Sequence, residues 1–313
     1  MVASVRLVVP ALLGATLLAG CGNGLTNNPG PPPPEQIVDA GLTHLDATPI
    51  HFTVTDTVGF DTSEIRSGAE LGLGGTLTVK GEGVQENQKR ISMSLSAVDP
   101  DSGKKSGAST VEYDGSTFVS ADGGRFRQVD TTAALFGGTG LGPGDMPGAA
   151  GDVETLGSVS AQGYAAGTTA GQQRYHVELG DTFAHTFVAA YARAVSSSTA
   201  ALEPAKAAAE SSWPAIVEQA SYYKQGSLDV DIDPATGRVA HLSLTLAVSL
   251  SFDRINELGG LPCGCRLPSG TLITTETVDL VVTPAGAQTT VSRPSPDPKA
   301  PVPGSRGVSG FSI

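Results

Sequence analysis

From Arg238 to Phe252 the chain sets Leu242, Leu244, Leu246, Val248, Leu250 and Phe252 on one side, and His241, Ser243, Thr245, Ser249 and Ser251 on the other. Period-two alternation sustained this long requires a strand with one buried and one wet face. At about 3.3 Å per residue it extends on the order of 45 Å. An ordinary strand is about half that length, so a sheet built on this one is expected to curl rather than lie flat.

The same alternation recurs elsewhere. Leu71, Leu73, Gly75, Leu77, Val79, Gly81 and Gly83 share one side of a run whose other side carries Thr76, Thr78, Lys80 and Glu82. Ile91, Met93, Leu95 and Ala97 alternate with serines, and Tyr175, Val177 and Leu179 with Arg174, His176 and Glu178. Leu228, Val230 and Ile232 alternate with Asp229, Asp231 and Asp233. These read as antiparallel strands with one apolar face, and their glycines are expected to ease bending and leave space above them. Tyr113-Asp114-Gly115-Ser116 and Asp233-Pro234-Ala235-Thr236-Gly237 read as tight turns between strands.

Helical spacing appears at Ile37, Val38, Leu42 and Leu45, again at Phe183, Phe187, Tyr191 and Val195, and from Trp213 through Ile216, Val217, Ala220 and Tyr223. Their apolar stripes need a partner, and the open face of the sheet is the one available. The predicted fold is therefore α+β: a strongly curved antiparallel β-sheet, or half-barrel, with helices packed on its concave face.

The ends of the chain carry an address. Arg6 precedes an apolar run from Leu7 to Ala19 that is short for a bilayer span and closes on small residues, as a signal peptide does. Leu18-Ala19-Gly20-Cys21 resembles the bacterial lipobox. That resemblance implies cleavage before Cys21 and a diacylglyceryl group, with palmitate-type chains, on its thiol. Two or more chains anchor stably, each buried methylene contributing about 0.8 kcal/mol. The expected organisation is a signal peptide at 1–20, a Pro-rich tether at 21–34, one domain at 35–290 and a disordered Pro/Ser/Gly tail at 291–313. The expected location is the extracytoplasmic face of the cell membrane, lipid-anchored. Losing Arg6 with the signal takes the formal charge from -12 to -13. So acidic a chain, with no basic cluster, argues against nucleic acid and against electrostatic adhesion to anionic lipid.

Several of these features together resemble the LolA/LolB-like half-barrel superfamily, and more closely the actinobacterial LppX/LprG-type lipoproteins. They are the lipobox, the Tyr113-Asp114-Gly115 hairpin followed by Gly124-Arg125-Phe126-Arg127-Gln128-Val129, the strand Tyr175-His176-Val177-Glu178-Leu179, and Ile232-Asp233-Pro234-Ala235-Thr236-Gly237-Arg238. The resemblance spans most of Glu35 to Thr283. It implies a sheet wrapped around helices with an apolar cavity for acyl chains, and no catalytic signature. The chain departs from that pattern in the glycine-rich stretch Gly137 to Gly151 and in the long Ala-rich stretch Asp181 to Tyr223.

Motifs for chemistry are absent. There is no Gly-x-Ser-x-Gly, no His-Glu-x-x-His and no Walker loop, so no catalytic residue, cofactor or resident metal is expected and the chain does not read as an enzyme. His51, His176 and His241 fall on polar strand faces, where a solvated imidazole is the plain reading. Asp229, Asp231 and Asp233 begin like a calcium loop, but Pro234 stands for its glycine and Ala240 for its glutamate; carboxylates on a wet face explain them better. Gly138 to Gly144 lacks the third glycine and the basic residue of a phosphate cradle and reads as a loop, a lid at a cavity mouth. Cys263-Gly264-Cys265 leaves three options open: a strained bridge, free or intermolecular thiols, or a metal site short of soft ligands. The functional expectation is a carrier of a lipid or other long apolar ligand, lined by Leu77, Val79, Met93, Leu95, Phe183, Phe187, Leu244, Leu246 and Val248. Its expected partners are the membrane, through Cys21, and an envelope transporter such a carrier could meet. The alternative is a surface structural or interaction lipoprotein with a filled core.

Overall fold

The computed structural model describes residues 31–65, 75–87, 89–98, 103, 105–121, 123–129, 157–164, 171–180, 213–259, 266–286 and 288–300. In chain order these give α1 (Pro34–Ala47), β1 (Ile50–Asp61), β2 (Gly75–Asn87), β3 (Arg90–Val98), β4 (Lys105–Tyr113), β5 (Ser116–Ala121), β6 (Arg127–Val129), β7 (Gly157–Tyr164), β8 (Gln173–Leu179), α2 (Trp213–Ala220), β9 (Ser221–Asp233), β10 (Arg238–Ser251), α3 (Phe252–Glu257) and β11 (Thr271–Pro284). The strands form one eleven-stranded sheet in the order β6-β5-β4-β3-β2-β1-β11-β10-β9-β8-β7. Every neighbouring pair is antiparallel. The chain starts at the centre, meanders out to β6, resumes at the far edge with β7 and returns so that β11 lies beside β1. The sheet is open, with β6 and β7 as its edges.

Local chemistry explains the joints. Asp114 and Gly115 take φ of 49° and 86°, which is the paired left-handed backbone of a type I′ turn between β4 and β5. Asp233 closes the β9–β10 turn through the amide of Ala235 and the hydroxyl of Thr236. β10 stops at Ser251, whose hydroxyl accepts the Arg254 amide at 3.2 Å and so caps α3. Phe252, expected as the last inward residue of the strand, therefore opens a helix. Tyr223, expected on a helix, lies in β9, because Ser221 already pairs with Leu250.

Helix α1 buries Val38, Leu42 and Leu45 against the sheet. It contacts β7, β9 and β10, while Gln85 of β2 donates to the Leu45 carbonyl at 2.8 Å. The architecture is α+β: one large, open antiparallel sheet with, among the described residues, few helices. The face that meets α1 is called inner below.

The C-terminal segment does not trail away at residue 291. Val291 packs with Val111 and Phe118, and its amide donates to Glu86 at 2.9 Å. Pro296 bridges Phe126 beside β6, Arg125 pairs with Asp297, and Ala300 is buried. Phe118 and Val111 lie opposite one another and face away from α1, so residues 288–300 strap the outer face near the β6 edge.

Candidate functional site

Alternation fixes what the inner face presents. β10 contributes Leu242, Leu244, Leu246 and Val248, β1 contributes Phe52 and Val54, and β11 contributes Val278, Leu280 and Val282, all in one buried cluster with α1. A second cluster at the opposite end of the long strands joins Val217 and Ala220 of α2, Phe252 and Ile255 of α3, Leu250 and Leu272. Of the expected lining residues, Met93, Leu244, Leu246 and Val248 sit in the main cluster and Leu95 packs against it. Val79 is buried and Leu77 half-buried. Phe183 and Phe187 lie outside the described residues.

The glycines do not leave the space expected of them. A methyl on Gly81 would come 2.7 Å from Leu95 Cδ2 and 2.8 Å from Val54 Cγ1, and one on Gly83 would meet the Ser92 backbone carbonyl oxygen at 2.4 Å and Phe52 Cζ at 2.6 Å. Side chains and, at Gly83, the backbone of the neighbouring strand fill those positions, so the glycines allow close packing rather than hollowing the face.

Between the two clusters the inner face turns polar. Asp56 stands opposite Val79 on β2 and Val278 on β11. Glu276 stands opposite Val58 on β1 and Leu246 on β10. The two carboxyls are thus diagonal neighbours across the β1–β11 pair, within mutual reach. Burial pushes the Asp56 carboxyl up to about 6, against the opposing pull of Glu276. Glu276 is only 2% exposed, and Oδ1 of Asp56 is buried without a hydrogen-bond partner among the described residues. A bond between two carboxyls needs a proton on one of them, so the pair is at most singly charged when closed. None of the alternating runs in the sequence described above contains Asp56 or Glu276. The pair's signal is present in Phe52-Val54-Asp56-Val58-Phe60, an apolar row broken at its middle, and in Leu272-Thr274-Glu276-Val278-Leu280, one broken at Thr274 and Glu276.

The outer face is not simply wet. Asp231 is fully buried, and Arg174 holds both its oxygens at 2.7 and 2.8 Å. His241 reaches Asp231 through Nδ1 at 3.2 Å, and His176 Nδ1 meets Asp229 at 2.6 Å. Ser243 donates to Asp279 at 2.6 Å. The expectation of solvated side chains is corrected for Asp231, which is buried; strand register places Arg174 opposite Asp231 and His176 opposite Asp229, so these groups pair across strands while His176 and Asp229 stay partly exposed. His51 is exposed and borders a cavity of about 450 Å³ on this face, together with Thr53, Glu82, Val84, Ser92, Ser94, Val281 and Thr283. Met93 is the one expected lining residue that touches this cavity.

Among the described residues no group of three His, Cys, Asp or Glu side chains is placed to hold a metal, and no helix is long and apolar enough to cross a membrane. Cys21, Cys263, Cys265 and the glycine-rich stretch 137–151 lie outside the described residues.

No family model matches the chain, and no curated protein matches it. Among solved structures it is similar to LprF from Mycobacterium bovis, at 11% identity and a TM-score of 0.36, covering 83% of this chain and 96% of that one. It is also similar to a putative outer membrane lipoprotein-sorting protein domain from Vibrio parahaemolyticus, at 7% identity and a TM-score of 0.25, covering 82% of this chain and 95% of that one.

Proposed function

We propose that this chain is an extracytoplasmic lipoprotein, anchored to the cell membrane through Cys21, that binds or carries a lipid or another long apolar molecule between its sheet and its helices. The observation that carries this reading is the inner face itself. Strands of up to 14 residues present two apolar clusters on that face, one met by α1 and the other by α2 and α3. An acyl chain laid along such a face needs no directional contacts, because each buried methylene contributes about 0.8 kcal/mol. The protein then works by holding and releasing its cargo rather than by bond chemistry.

A second reading has its own support. Leu244, Leu246 and Val248 are each under 5% exposed within a single cluster, which suits a core filled by the chain's own side chains and a structural or interaction role.

One experiment separates the two. The chain is secreted from its native host with Cys21→Ser, purified without detergent and examined by native mass spectrometry and organic extraction. The carrier reading expects an adduct of lipid mass that extraction removes. A clean apoprotein mass, with nothing in the extract, contradicts it and leaves the filled core.

A further inference from the structure

Asp56 and Glu276 sit where the carrier reading places cargo, and a hydrophobic face does not need them. Replacing both by apolar residues of similar size would serve packing better, since a carboxyl away from water costs more than a methyl group does. Their arrangement is specific. Register puts them on adjacent strands and on one diagonal, facing inward, with Val58, Val79, Val278 and Leu246 around them. Two carboxyls on such a diagonal can close on one another only while one proton is shared.

We infer that the shared proton of Asp56 and Glu276 controls how tightly the inner face holds an apolar ligand. While the proton is present the pair is closed and at most singly charged, and the floor beneath the ligand is nearly apolar. When it leaves, two negative charges face one another, the pair opens, and water is drawn to both carboxylates. An apolar ligand covering them must then expel that water, and its affinity falls. Among the described residues, the inner positions of β2 and β10 nearest the pair are aliphatic or glycine; further out, the inner positions carry the phenols of Tyr175 and Tyr223 on β8 and β9 and the carboxyl of Glu112 on β4. Burial pushes both phenols up, so neither supplies a charge that replaces the proton. Asp56 is placed to lose it near pH 6.

Linkage sets the direction. A ligand that excludes water favours the protonated pair, so binding takes up a proton and is strongest in acid. Each unit by which the ligand raises the pair's proton affinity weakens binding about tenfold above the transition. This inference rests on the carrier reading and is tested with a probe that has no charge of its own. Diphenylhexatriene fluorescence is titrated with the full secreted Cys21→Ser chain from acid to mildly alkaline pH. Affinity is expected to fall about tenfold or more through pH 6, and Asp56→Asn is expected to hold the acid-side affinity throughout. Glu276→Gln provides the same reading should Asp56→Asn fail a circular-dichroism check of its fold. Binding that does not vary with pH, or an unchanged fall in a folded variant, overturns the switch while leaving the carrier intact. No binding at any pH overturns both.

Discussion

On the outer face Asp231 is fully buried and meets Arg174 and His241, whereas on the inner face Asp56 is partly buried and meets a second carboxyl, Glu276. Both are acids taken from water in one sheet, and both sit in strands whose alternation is otherwise clean. The difference lies in the partner. A cationic partner offsets desolvation through an ion pair, so the outer group binds strands β8, β9 and β10 together. A carboxyl partner offsets it only by holding a proton, so the inner group responds to pH. One device stabilises the scaffold; the other makes a part of it conditional.

That contrast can be broken from the outer side first. Arg174→Met leaves Asp231 buried with a single imidazole, and removing one member of a buried pair costs about 3–5 kcal/mol. Urea unfolding should show a drop of about 3 kcal/mol; a loss under about 1 kcal/mol would mean that Asp231 is hydrated and the clamp is ornamental. On the inner face, Leu246→Ala removes a side chain that is 1% exposed and should cost about 3 kcal/mol in the same assay. A near-neutral result there would show that the face has room to collapse.

The pH dependence sharpens the comparison further. Asp56 and Asp46 are both pushed up by burial to about 6, from an ordinary value of 3.8. Their neutral forms favour the folded chain. That contribution is complete below pH 3.8 and is lost as pH rises through 6. Stability should therefore fall between these limits as far as these two groups set it, and Asp56→Asn should flatten part of the slope and gain about 1 kcal/mol at pH 7. Melting temperatures across that range check it; an Asp56→Asn curve parallel to the parent would contradict the assignment. The smallest effect belongs to the exposed pair Arg254–Glu257 at 2.9 Å, where Glu257→Ala should change stability by less than about 0.5 kcal/mol.

Much of the scaffold was legible because period-two alternation is a local property. The runs at 91–97, 174–179, 228–232 and 238–251 each became a strand with the expected side inward, and Asp114-Gly115 and Thr236-Gly237 became the turns their chemistry favours. What failed depended on register, which is not local. His176 and Asp229 are 53 residues apart and Arg174 and Asp231 are 57 apart; nothing in either segment alone says that they will be opposite. The strap at 288–300 was hidden by its composition. Prolines that bar a regular strand do not bar a chain from lying in extended form across a sheet, and Val291 is held by Glu86, 205 residues away. The inner carboxyls were visible as interruptions in two apolar rows, but only the β1–β11 register makes them one pair.

A carrier of this kind is defined by where an apolar molecule sits. A photoactivatable hydrocarbon chain, bound to the full secreted Cys21→Ser protein and irradiated, reports its neighbours as modified peptides. Labelling centred on Met93, Leu244, Leu246 and the strand of Glu276 is what the inner-face site predicts. Labelling confined to the outer cavity beside His51 and Thr283, or none above that of an unfolded control, would contradict it.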